Sequence, residues 1–243
     1  MLALRRSLTR PRARPLNLRF AFSTAHSLRR NSGGGSYSPF PTPSTAKHHD
    51  LQSFLSYAEQ TGLDVTSSVY VGTHYEYTVA STLSQYGIQA IRVGGISDYG
   101  VDLLGTWTLP SQPRQLKVIM QCKGGSQRIT PSLIRELEGS FVGAPVGWRG
   151  KGVIAFLVSE GTASKGVREG MGRSRWPMGF ISCSKDGVFR QMVWNQRAEE
   201  EGLRGMNVAM RHSEDGNGEA KIVLTYQGKR VRDVTDEMVS GAA

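Results

Sequence analysis

The stretches "GVDLLGTW" (residues 100–107) and "VIMQCKGG" (residues 118–125) decide how this chain folds. Each reads as a buried strand, and each carries a polar group that a core rejects. Asp102 sits among Val101, Leu103 and Leu104, while Gln121 and Lys123 follow Val118, Ile119 and Met120. A buried charge is costly unless it is paired or holds a metal. Side chains alternate along a strand, so Ile119, Gln121 and Lys123 share one face and Val118, Met120 and Cys122 the other. With the turn "SQPR" (111–114) between the strands, Asp102 lies across from Gln121 or Lys123. The polar groups are therefore expected to meet at one site.

Working outward, "HHDLQSFLSYAEQTG" (48–62) spaces Leu51, Phe54, Leu55 and Ala58 as a helix does, with Gly62 as its stop. A second helix over 68–87 places Tyr75, Val79, Leu83 and Tyr86 on one stripe. "IQAIRVGG" (88–95) alternates like a strand, so strands at 88–95, 100–109 and 115–123 predict an antiparallel meander. Thr130 and Pro131 open a helix over 128–141. "GVIAFLVSE" (152–160) is apolar throughout, as in a strand covered on both faces. A helix over 162–174 and a strand over 178–184 follow. Beyond these, "VWNQRAEEEGLRGMNVAM" (193–210) reads as a helix and "KIVLTYQG" (221–228) as a strand. The expected fold class is α/β, with an αβββαβ core and a mixed central sheet flanked by helices.

The net charge of +10 points first to nucleic acid, but its distribution points elsewhere. Nine of the 30 basic side chains precede residue 50, where there is no acid; the rest of the chain carries 21 basic against 20 acidic groups. The Arg-, Ser- and Leu-rich start lacks the apolar core of a secretory signal and has the composition of a mitochondrial presequence. "NSGGGSYSPFPTPSTAK" (31–47) reads as a linker. This divides the chain into a presequence and linker (1–47), a folded domain (48–190) and a C-terminal extension (191–243). The expected location is mitochondrial, in the matrix. No apolar run is long enough for a membrane-spanning helix. Cys122 and Cys183 form no CxxC and read as small buried hydrophobes.

Glu76, on the second helix, adds a carboxylate to Asp102. Two carboxylates and a backbone carbonyl, that of Cys122, make an all-oxygen site for Mg²⁺ or Mn²⁺. Such a cation stabilises charge on a phosphodiester, and Lys123 can orient water and neutralise the developing charge. The alternative is that Asp102 simply pairs with Lys123. Ser126, Gln127 and Arg128 are placed to touch a phosphate backbone. Two basic stretches with aromatics, around Trp148, Arg149 and Lys151 and from Lys165 to Trp176, are candidates for lining a nucleic-acid groove. "GWRGKG" (147–152) is no phosphate loop: Pro145 stands where the first glycine is required, and Gly152 where Ser or Thr follows the lysine.

Glu76, Asp102, Gln121 and Lys123, in this order, resemble the active-site residues of the PD-(D/E)xK nuclease superfamily. "GISDYGVDLLG", "QCKGG" and "ITPSLIRELEGSF" resemble its Mrr-like restriction-endonuclease branch, and with the presequence the chain resembles the fungal mitochondrial family "required for respiratory growth protein 7". The resemblance covers residues 70–185. It implies a restriction-endonuclease-like core and Mg²⁺- or Mn²⁺-dependent hydrolysis of DNA, with mitochondrial DNA as the partner. Glu76 and Asp102 would be metal ligands, Gln121 an assistant and Lys123 the activator of water. Many relatives act as dimers, which leaves a homodimer open. Gln121 departs from the superfamily, whose usual residue there is an acid; Asp98 is a spare carboxylate. A non-catalytic DNA-binding module on the same fold is the rival reading. An assembly factor acting through protein partners is a third.

Overall fold

Strands with two apolar faces need two covering layers, and the chain provides them. The computed structural model describes residues 47–93, 100–110, 112–125, 128–211 and 221–231. Its elements begin with α1 (Leu51–Thr61) and α2 (Ser68–Ser84), followed by β1 (Ile88–Arg92), β2 (Leu103–Trp107) and β3 (Leu116–Lys123). Next come α3 (Pro131–Gly143), β4 (Val153–Ser159), α4 (Lys165–Arg173), β5 (Met178–Cys183) and β6 (Phe189–Trp194). A helical turn, α5 (Gln196–Ala198), runs into a π-type turn, Glu199–Leu203; β7 (Met206–Arg211), β8 (Lys221–Tyr226) and β9 (Lys229–Arg230) follow.

Strands β1 to β6 form one sheet in sequence order, antiparallel from β1 to β3, parallel from β3 to β5, and antiparallel again to β6. The fold is α/β with a mixed central sheet flanked by helices, and the first three strands are the expected meander. All seven residues of β4 are buried, with Ile154, Phe156 and Val158 on one face and Val153, Ala155 and Leu157 on the other. On the first face lie Tyr75, Val79 and Leu83 of α2, together with Met206, Ile222 and Leu224 from the small β7-β8-β9 sheet. On the second lie Leu133, Ile134 and Leu137 of α3 and Val167 and Met171 of α4.

Local chemistry sets the helix starts. Asp50 and Ser53 form a capping box on α1, Ser67 caps α2 by accepting from the Tyr70 amide, and Ser164 does the same for α4 with Val167. Thr130 is the N-cap residue of α3 and Pro131 its first residue, as expected. The Thr130 side chain, however, makes no capping bond and lies 2.6 Å from the Ser132 hydroxyl.

The expected helix over 193–210 does not form. Val193 pairs with Phe180 across the sheet and Trp194 with Gly179. The Asn195 side chain then caps a short turn, and residues 206–211 are a strand. Burial of β6 against β5 outweighs a charged run (Glu199, Glu200 and Glu201) that looked helical. The six-stranded sheet thus extends to Trp194, across residue 190.

Candidate active site at the ends of β2 and β3

The last register pair between β2 and β3 is Leu103 with Met120. Beyond it the Asp102 amide donates to the Met120 carbonyl (2.9 Å), and the Val93 amide donates to the Asp102 carbonyl (2.8 Å). Backbone pairing then gives way to a side chain: the Cys122 amide donates to Asp102 Oδ2 at 2.7 Å. Residues two apart on a strand present their backbone groups to the same edge. The Cys122 carbonyl therefore also leaves β3 on the edge where Asp102 stands. The partly buried Asp102 completes the ladder, which is one reason why a carboxylate is tolerated there.

Gln121 and Lys123 point to the opposite face of β3 from Cys122, as the alternation requires, and both reach α3. Gln121 Nε2 and Lys123 Nζ (2.8 Å) donate to the same atom, Glu136 Oε1. Lys123 thus pairs with Glu136 rather than with Asp102. Gln121 is 2% exposed. Its amide can turn only one way, since the oxygen would be repelled by the carboxylate, so Nε2 and not Oε1 meets Glu136. That oxygen is buried and receives no hydrogen bond from the described residues. Gly100, at φ +76°, closes over this amide: a Cβ there would stand 3.1 Å from Gln121 Nε2. Ser140, one turn beyond Glu136, holds this glycine by donating to the Gly100 carbonyl (3.2 Å).

Glu76 lies on the α2 side and forms a largely buried ion pair with Arg92 at the end of β1. The Cys122 thiol is held well above its ordinary pKa, first by burial and then by the charges of Asp102 and Glu76, so both carboxylates lie near it. Gly124 lets the chain leave β3 against α2; a Cβ there would stand 3.0 Å from the Tyr75 ring. Tyr75 cannot give way easily, being 2% exposed and donating to the Cys183 carbonyl at 2.8 Å. Beyond it, the Gly125 amide donates to Glu160 Oε1 at 2.6 Å.

The structure brings Asp102, Gln121 and Lys123 to adjacent strand ends, with Glu76 on the neighbouring helix. Ser126, Gln127 and Asp98 lie outside the described residues, and Arg128 is exposed ahead of α3. In the two basic aromatic stretches, the tryptophans pack against the protein's own residues. Trp148 is buried beneath the Lys117 ammonium, and Trp176 stacks on Phe141 at 4.7 Å, towards the far end of α3. The residue that sequence reasoning missed is Glu136. Its signal was position: it flanks the buried stripe of Leu133, Ile134, Leu137 and Phe141 and can reach from the edge of α3 into β3.

Among the described residues, no three His, Cys, Asp or Glu side chains form a metal-binding group. The oxygens here of the kind that could hold a hard cation are the carboxylates of Asp102 and Glu136, the Cys122 carbonyl and the unsatisfied Gln121 Oε1. No helix among the described residues is long and apolar enough to cross a membrane.

Fold and site together define an α/β protein whose central sheet carries a carboxylate–amide–lysine cluster where two strands end. The chain belongs to the family described as "Required for respiratory growth protein 7", whose model matches residues 67–115 and 110–211. It is similar to an uncharacterised mitochondrial protein of Schizosaccharomyces pombe, at 31% identity over 157 residues. That match covers 62% of this chain and 61% of the relative's length. The protein is mitochondrial. A solved structure, the MspJI restriction endonuclease in complex with a 27-mer oligonucleotide, matches at 14% identity with a TM-score of 0.31. It covers 54% of this chain and 28% of that one, a likeness too slight to carry an argument.

Proposed function

We propose that this protein is a metal-dependent phosphodiesterase of the PD-(D/E)xK type, on a restriction-endonuclease-like core, acting on DNA in the mitochondrial matrix. The observation that carries this reading is the unsatisfied, buried Gln121 Oε1, on strand ends that also carry a carboxylate and a held lysine. Asp102, Gln121 Oε1 and the Cys122 carbonyl would hold Mg²⁺ or Mn²⁺, with Glu76 close by. When bound, the cation stabilises charge on the phosphodiester and acidifies its water. Lys123 carries the positive charge that orients water and offsets the charge gathering on phosphate. Asp102 is already oriented by the Cys122 amide, so it needs no rearrangement to act. Maintenance of mitochondrial DNA accounts for the respiratory growth in the family's name.

The test uses the full chain with labelled single-stranded, duplex and branched DNA, in Mg²⁺, in Mn²⁺ and in EDTA. Metal-dependent cutting that disappears in Asp102→Asn and in Lys123→Ala is the expected result. A second reading, a non-catalytic DNA-binding module, is favoured by the mutual satisfaction of Lys123 and Glu136. DNA binding without cutting, and without Asp102-dependent Mn²⁺ binding, would establish it instead.

A further inference from the structure

We infer that Glu136 is the second acid of this site: α3 supplies the carboxylate that β3 lacks at Gln121, and it holds Lys123 until a cation displaces it. The inference rests on the metal-dependent reading above and assigns a ligand to it.

Gln121 stands on β3 where a carboxylate would bind a hard cation better than an amide does. Its amide nitrogen is committed to Glu136 Oε1, which leaves Oε1 of Gln121 buried and without a donor. Strand and helix thus form a unit in which one residue provides a neutral oxygen and the other a charged one. Both donors converge on Glu136 Oε1, and Oε2 accepts from no described residue. Glu136 is 47% exposed on its side chain and Lys123 19%. The carboxylate is therefore open to an ion arriving from solvent.

The charges have a consequence. With Lys123 bound to Glu136, their two charges offset each other, and Asp102 adds a carboxylate at the neighbouring strand end. A divalent cation and the Lys123 ammonium then compete for one carboxylate. Each cation that binds loosens Lys123 from Glu136, and the freed ammonium becomes available to a phosphate. Arrival of the metal and release of the lysine are one event, which keeps Lys123 occupied in the metal-free protein. Gly100 and Ser140 support this unit: the glycine leaves room for the amide, and the serine ties Gly100 to α3.

The test is Mn²⁺ binding by calorimetry on the full chain and four variants, with thermal melts as the folding control. Glu136→Gln is expected to weaken Mn²⁺ about tenfold or more, because a charged ligand is lost. Exchanging the two groups, Gln121→Glu together with Glu136→Gln, keeps both the carboxylate and the amide donor. It should restore affinity to within about threefold of the parent protein. Lys123→Ala should bind Mn²⁺ more tightly than the parent, since the competitor is gone. Asp102→Asn should lose the site.

A second readout is the acylation rate of Lys123, followed by mass spectrometry. It should rise on addition of Mn²⁺ to the parent, and should already be high without Mn²⁺ in Glu136→Gln. Parental Mn²⁺ affinity in Glu136→Gln, with Asp102→Asn defective, overturns the role of Glu136 and leaves the phosphodiesterase reading standing. An exchange variant no better than Glu136→Gln overturns it as well. No Asp102-dependent Mn²⁺ binding in the parent protein overturns both.

Discussion

Replacing Asp102 by Ala and by Asn separates two jobs that the structure gives to one carboxylate. Oδ2 accepts the Cys122 amide at 2.7 Å, where backbone pairing between β2 and β3 has ended. A hydrogen bond to a charged acceptor contributes about 1.5–3 kcal/mol, and an abandoned amide costs about 1–3 kcal/mol. Asp102 is partly rather than fully buried, so water can reach some of the vacated space. Asp102→Ala should therefore cost about 2 kcal/mol, and at roughly 2–4 °C per kcal/mol for a domain of this size the melting temperature should fall by about 4–8 °C. Asn retains an oxygen for the amide, and its cost should stay below about 1 kcal/mol, the worth of a neutral hydrogen bond. Mn²⁺ reports the second job. At a hundred times its dissociation constant it should stabilise the parent by about 2.7 kcal/mol, and neither variant at all. Urea unfolding of the three proteins, with and without Mn²⁺, measures both effects. Equal destabilisation by Ala and Asn would refute the ladder-completing role, and Mn²⁺ stabilisation surviving in Asn would refute the ligand role.

Gly124→Ala places a methyl 3.0 Å from the pinned Tyr75 ring and should cost about 1–3 kcal/mol by overpacking, read by urea denaturation. Tyr75→Phe removes the bond to the Cys183 carbonyl and should cost about 1 kcal/mol on its own. Glu76 and Arg92 should show a coupling of about 1–2 kcal/mol in a double-mutant cycle with glutamine replacements, as expected for a largely buried pair. If Glu76 also serves a cation, Glu76→Gln should weaken Mn²⁺ even in the Arg92→Gln background. His48, whose ring lies 2.7 Å from the Tyr77 hydroxyl, has its pKa lowered from about 6.5, first by burial and then by the charge of Arg92. Its unfolded form binds the proton more readily, so its stabilising contribution is full above that value and is lost as pH falls through the depressed folded value. Melting curves between pH 8 and 5 should show this slope in the parent and a shallower one in His48→Gln.

The elements legible in the sequence are those whose burial follows a period. The apolar run of β4 could only be covered on both faces, and its neighbours alternate between two clusters as the pleat demands. The C-terminal region was misread because its strands are brief and bordered by charge. Val193 and Trp194 reveal themselves as β6 only through pairing with β5, although the Asp186–Gly187 dipeptide between two apolar runs was a readable hairpin signal.

The site divides along the same line. Asp102, Gln121 and Lys123 were legible because each breaks the apolar pattern of a strand, and a violated pattern is visible without coordinates. Glu136 violates nothing. An acid on the margin of an amphipathic helix is ordinary, and it becomes chemical only because α3 packs across β3, bringing it to residues 13 and 15 positions away. Likewise nothing beside Glu76 in the sequence announces Arg92, 16 residues on, as its partner. The absent acid at position 121 was the clue to look for: a strand that gives up a charge in a polar site creates a demand on whatever packs against that face. Lys123 makes the demand sharper, since it too lies on that face with no acid on its own strand. The helix that follows is the element that covers it, and Glu136 is the acid of that helix which meets both groups.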